Sequence, residues 1–309
     1  MGQERPFLVL RYFMVEEDQR QIEAKALPAV KGKAVIDALI PERDWIKNGV
    51  SYSFVGFSAA VPGHGESFPQ NRFYVGKVAK LRKARMGEKV PGDIVEHEED
   101  DWIPLITIVD TESQFIFVQK DWRFGNPQQI CTALESGLRE TVLSVYNHRV
   151  FVEFKPTEGK FWEVVRSHKK IYKLELRLIS PNILQTNVKA RDALSALKEL
   201  FRQDEICLKL TNESGSIEVP NQPTTDYIEY IEEGEGSWRV TTEGDHGGKK
   251  SHSSADAAET LDLEVLSDSQ DNNPDQLTLN MPEATTLAPE RGARIVARVF
   301  RYVTEKLRP

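Results

Sequence analysis

Over the first half of the chain, apolar and polar positions alternate or gather in short runs, which is the spacing of strands rather than helices. Phe7 to Val15 is one β-rich run and Val50 to Ala60 another, and Phe73 to Val78 follows the turn-rich segment Pro62 to Asn71. Leu105 to Asp110 and Phe115 to Gln119 flank Thr111 to Gln114, the spacing of a hairpin closed by a four-residue loop. The period then changes. Asn126 is a good N-cap, Pro127 suits the first helical position, and Ile130, Leu134, Leu138, Val142 and Val145 recur at helical spacing. Val150 to Phe154 returns to a strand pattern.

Pro156 marks the expected boundary between an N-terminal domain, 1–156, and a C-terminal domain, 157–309. Beyond it, Phe161 to Lys170 reads as a short amphipathic helix and Ile171 to Ile179 as a strand. Val188 to Phe201 reads as a helix with Ala193, Leu194, Leu197, Leu200 and Phe201 inward. Strands are expected at Glu205 to Leu210, Ser216 to Val219, Tyr227 to Ile231, Ser237 to Thr242 and Thr260 to Leu266, with polar loops at Gly244 to Ser254 and Ser267 to Gln276. No internal repeat is apparent. This mixed order predicts an α+β fold: two domains that each mix helices and strands, with largely antiparallel sheets and a C-terminal amphipathic helix.

That last helix, Arg291 to Arg308, carries the main functional lead. At about 100° per residue, Arg291, Arg294, Arg298, Arg301 and Arg308 share an arc of roughly 100°. Ile295, Val296, Val299, Phe300, Val303 and Leu307 fall between about 40° and 180°. An apolar stripe therefore lies beside a basic one, so that one side of the helix buries while the other offers cations. Arginine is the side chain that forks onto phosphate.

Net charge does not oppose this lead once its distribution is considered. The 309 residues carry a formal charge of −8, yet residues 211–290 hold eighteen acidic residues against Arg239, Lys249 and Lys250, a net of −15 that leaves +7 elsewhere. A second basic run holds Arg72, Lys77, Lys80, Arg82, Lys83, Arg85 and Lys89 against Glu88 alone. Asp93, Glu96, Glu98, Glu99, Asp100 and Asp101 follow without a Lys or Arg among them. The even spread of the cations suits a nucleic-acid backbone better than base edges, and the acidic stretch is placed to screen them in the free protein.

Composition, at 39% hydrophobic and 28% charged residues, is that of a globular protein. The opening residues carry Glu4 and Arg11 around a short apolar stretch, which reads as a strand rather than a signal peptide, and no apolar run reaches membrane-spanning length. Pro6 stands where a myristoylation motif wants Ser or Thr. Cys131 and Cys207 are expected in the core of a protein kept reduced, so a cytoplasmic location without membrane insertion is expected.

Catalytic patterns carry less. Glu153 and Lys155 form an E-x-K on a strand, the spacing by which metal-dependent nucleases place a carboxylate and a lysine on one sheet face, with Asp110 as a loosely placed partner. His97, His64, His246 and His252 do not make a metal-ligand spacing. Gly244 to Ser251 has Lys250 between the Lys and the Ser that a Walker A loop keeps adjacent, and no nucleophile elbow is found. A binding protein without a cofactor is therefore expected before an enzyme. The alternatives are a metal-dependent nuclease using Glu153 and Lys155, and a module whose acidic segment takes a basic partner.

An opening strand leads to the lysine-rich segment Asn71 to Lys89 and the acidic stretch Glu96 to Asp101. Then come Trp102-Ile103-Pro104-Leu105, the passage Arg123-Phe124-Gly125-Asn126-Pro127, the segment Leu208 to Val219 with its Glu213 to Gly215 turn, and the terminal helix. In this layout the chain resembles the RexA-like exclusion proteins of temperate phages. The loop Gly244 to Gln276 is longer and more acidic than in that family, and no binding residue is carried over from it. What the resemblance implies is a two-domain α+β homodimer that binds double-stranded DNA with little sequence preference and acts in phage exclusion. A separate effector protein is a further expected partner. On charge geometry alone, the expected DNA contacts are Arg72, Lys77, Lys80, Arg82, Lys83, Arg85, Lys89, Arg291, Arg294, Arg298, Arg301 and Arg308.

Overall fold

The computed structural model describes residues 3–17, 24–63, 65–179, 196–197, 200–201, 205–244, 247–265 and 289–307. Among these, the chain forms twelve strands and five helices in two antiparallel sheets, the α+β class its patterning predicts. In chain order they are β1 (Gln3–Glu16), α1 (Gly32–Leu39), β2 (Arg43–Lys47), β3 (Val50–Ala59), β4 (Phe73–Val90), β5 (Asp93–Asp110) and β6 (Phe115–Gln119). There follow α2 (Pro127–Tyr146), β7 (His148–Phe154), α3 (Lys160–Ser167), β8 (Ile171–Ile179), β9 (Glu205–Thr211) and α4 (Asn221–Glu232). The last are β10 (Gly236–Glu243), β11 (Lys249–Ser253), β12 (Thr260–Val265) and α5 (Pro289–Lys306).

The larger sheet runs β12-β1-β6-β5-β4-β3-β2, and β7 also pairs with β1. Phe7 and Leu8 pair with both β12 and β6, while Leu10 and Arg11 pair with both β6 and β7, so β12 and β7 lie end to end along one edge of β1. Alternation along β1 then sorts the core into two layers. Leu8, Leu10, Tyr12 and Met14 pack with Val35 and Leu39 of α1 and with Leu134, Leu138 and Val142 of α2. Phe7 and Val9 face the other way, into a cluster with Ile108, Phe117 and the α5 residues Ile295, Val296, Val299 and Val303.

Helix α2 starts as its sequence predicts. Asn126 accepts from the Gln129 amide, and the Gln129 side chain accepts from the Asn126 amide in return, a complete capping box ahead of Pro127. Its Gly137 lets the helix lie against β2 and β3, since a Cβ there would sit 2.6 Å from the Phe54 ring.

The smaller sheet runs β11-β10-β8-β9. Leu174, Leu176, Leu178, Trp238 and Val240 pack on Phe161 of α3 and on Ile228, Tyr230 and Ile231 of α4. Phe13, Val15 and Phe151 meet Ile179 at the seam between the sheets.

Several expectations are corrected. Residues 157–309 do not form a body of their own, because β12 and α5 return to the first sheet and complete its edge and one of its layers. Tyr227 to Ile231 lies within helix α4, where tertiary contacts on Ile228, Tyr230 and Ile231 override local β propensity. Ser216 makes a single bridge to Ile171, without a strand at Ser216 to Val219. Within the expected loop Gly244 to Ser254, Lys249 to Ser253 is strand β11, paired with β10. Cys131 is buried as expected, but Cys207 is exposed on the edge strand β9. Leu197, Leu200 and Phe201, expected inward, are exposed, and the rest of that helix lies outside the described residues, as does the loop Ser267 to Gln276.

Candidate nucleic-acid interface

Helix α5 is held by its apolar stripe. Ala293, Ile295, Val296, Val299, Tyr302 and Val303 are buried, whereas Arg294, Arg298 and Arg301 are exposed together with Glu305 and Lys306. The two stripes thus fall where the helical periodicity puts them. The nearest carboxylates to Arg294 and Arg298 are those of Glu66 and Glu4, each at 3.9 Å, and the two arginine side chains remain 82% and 47% exposed. Contacts that long are not hydrogen bonds, so these guanidinium groups remain available to an external anion. The side chain of Arg291 and all of Arg308 lie outside the described residues.

A polar key that the sequence reading missed fixes the seat of this helix. The Tyr302 hydroxyl donates to Oε1 of Glu259, whose Oε2 accepts from Nζ of Lys155 at 2.8 Å. Burial, then that hydrogen bond, push the Tyr302 hydroxyl up. Tyr302 lies between the apolar Val299 and Val303 in sequence, so only its aromatic character on a valine-rich face could have singled it out.

The second basic run is arranged differently. β4 and β5 form one hairpin paired from Phe73↔Asp110 to Val90↔Asp93, far beyond the ends of the apolar strand signals. β3 pairs with β4 only as far as Lys80, and β6 pairs with β5 only from Thr107. The outer ten residues of β4 are therefore half of a two-stranded arm, roughly 30 Å long at strand rise. Its register sets the basic strand directly against the acidic one. Arg82 pairs with Asp101 at 2.9 Å, Lys83 with Asp100, and Arg85 with Glu98 at 3.6 Å, all exposed. Between Leu81 and Trp102, the four cations of β4, with Glu88 among them, face six carboxylates of β5, a net of −3. The screening that the sequence suggested is thus built into strand pairing.

Arg72, expected on the surface, is a buried structural residue. Its Nε and Nη2 donate to the two carboxylate oxygens of Asp110 at 2.9 and 2.7 Å, Nη2 also donates to Ser113, and Nη1 lies 2.9 Å from Glu112. The guanidinium stacks near the rings of Phe73 and Phe300, about the place where α5 crosses the hairpin base. Both carboxylate oxygens of Asp110 are thus engaged by Arg72. Lys80 donates to the Phe124 carbonyl at 2.6 Å and Lys77 is half-buried, while Lys89 is exposed opposite Ile94 near the arm tip.

Glu153 and Lys155 do come to one side of the sheet but face different partners. Glu153, 1% exposed, pairs with Arg177 of β8, and Arg177 also pairs with Glu205 at 2.8 Å. Burial pushes the Glu153 carboxyl up, against the pull of Arg177. Lys155 is held by Glu259 and Glu158. A neighbouring pair, Arg11 with Glu235 at 3.0 Å, completes a charged seam between the two sheets. Among the described residues, no three His, Cys, Asp or Glu converge as metal ligands. His97 lies 3.1 Å from Glu99, and His252 meets Thr242, while His64 and His246 lie outside the described residues.

Among the described residues no helix is long and apolar enough to cross a membrane. A scan of protein families, a search of curated proteins and a search of solved structures each find nothing that matches this chain.

Proposed function

We propose that this is a double-stranded DNA-binding protein with little sequence preference. It would act in the cytoplasm, as a homodimer, in phage exclusion or defence as a sensor or the partner of an effector. The observation that carries the DNA reading is the row Arg294, Arg298 and Arg301, exposed along a helix whose opposite side is buried in the core. Backbone phosphates are the natural complement of such a row, because guanidinium groups spaced along a helix meet repeating anions without reading bases. The setting in phage exclusion rests on the resemblance in layout to the RexA-like proteins.

The contact set is narrower than the sequence suggests. Arg72 is buried, and Arg82, Lys83 and Arg85 already have carboxylate partners, so α5 is expected to supply most of the affinity. A gel-shift titration across salt concentrations tests this with the variant Arg294→Glu, Arg298→Glu, Arg301→Glu. Three phosphate contacts correspond to a log-log salt slope of about −2.7, and the variant should lose both that slope and most of its affinity. Unchanged affinity and slope in a variant with unaltered circular dichroism would sink the reading.

A further inference from the structure

The arm formed by β4 and β5 leaves an open strand edge among the described residues. Along β5, residues 93–105 pair with β4 on one edge, and among the described residues no strand occupies the other. Every second residue of an antiparallel strand aims its N–H and C=O outward; the Ile94 N–H donates to Oδ1 of Asp93 and Pro104 has none, so the open donors lie between Glu96 and Trp102. Residues 93–100 are exposed, and the side chains flanking the edge are Asp93, Glu96, Glu98, Glu99, Asp100 and Asp101, interspersed with Ile94 and Val95.

Charge decides what fits there. A closed dimer made by joining like edges would set β5 against a second β5, with six carboxylates facing six, or β4 against β4, with Arg82, Lys83, Arg85 and Lys89 facing their own copies. Both arrangements are repelled. Duplex DNA is repelled too, because the arm as a whole is net −3. An extended segment bearing lysine or arginine is favoured on both counts: its backbone completes the ladder, and its cations meet Glu96, Glu98 and Asp100, which repeat about every 6.7 Å along one face of an arm that is net negative.

We infer that the free edge of β5, from Asp93 to Trp102, is a docking site for a cationic extended segment of a partner protein, taken up as an added strand. This site is independent of the DNA surface on α5. The pairing of β4 with β5 runs unbroken to Val90↔Asp93, so the partner finds a formed edge and need not order one.

The test uses the full chain and a short fluorescent peptide of alternating lysine and valine, followed by anisotropy at low salt. Binding is expected, with slowed amide exchange confined to β5. The same peptide methylated at every backbone nitrogen keeps its charge but cannot donate to the edge, and it should bind at least about tenfold more weakly. The variant Glu96→Gln, Glu98→Gln, Asp100→Asn should weaken the unmethylated peptide by about tenfold. Equal binding of the methylated peptide would show attraction by charge alone and overturn the inference. Absence of binding to the unmodified chain would overturn it as well, as would protection that appears elsewhere than β5.

Discussion

A guanidinium group gives no sign in the sequence of whether water or a carboxylate surrounds it, and Arg72 illustrates the difference. Counted along the chain, it opens a basic run; in the fold, it is forked onto Asp110 beneath Phe300 of α5. The nearest cue lay one strand away, in the acid Asp110 that closes a hairpin strand, and only the β4 to β5 register brings the two together. Removing one partner of a buried pair leaves the other charge without compensation. Arg72→Met is therefore expected to lower stability by about 3–5 kcal/mol in urea denaturation. The surviving folded protein should keep the salt slope of DNA binding, since Arg72 does not reach the surface. Retained stability would show that Asp110 finds another cation. Glu153 makes the same point: the E-x-K spacing was visible, but the Arg177 that occupies its carboxylate comes from another sheet.

At the scale of elements, periodic segments were readable and charge-paired ones were not. Helix α2 declared its cap, its first proline and its apolar stripe, and β8 was bounded correctly at Ile171 and Ile179. The outer halves of β4 and β5 carry no apolar alternation to signal a strand, because both of their faces are solvated and complementary charge lines both. Helix α1 is only eight residues long and its polar face is reduced to Lys33 and Asp37, too few positions for a helical period to stand out. The exposed arm contributes nothing to the buried clusters between Arg82 and Asp101. Replacing Arg82 to Asp101 by Asn-Gly, which leaves Leu81 and Trp102 to close the hairpin, should change stability by less than about 1 kcal/mol. Thermal melting by circular dichroism measures this, and a loss of several kcal/mol would mean that the arm packs on the body of the protein.

For the molecule as a whole, composition and pattern gave the fold class but misplaced its division. A boundary after Pro156 was reasonable because the patterning restarts there, whereas the return of β12 and α5 depends on pairing across most of the chain. Residues 1–156 expressed alone would leave Phe7, Val9, Ile108 and Phe117 uncovered. That fragment is expected to aggregate or bind a hydrophobic dye, as light scattering would report; a soluble, cooperatively melting fragment would restore the simpler division. The placement of β12 has a temporal side as well. Residues 3–8 find their edge partner only in residues 260–265, so during synthesis β1 must wait until β12 has been made. At cellular elongation rates that interval is roughly 10–50 s. Through it Phe7 and Val9 lack their α5 cover, and nascent-chain chaperones have their longest opportunity at β1.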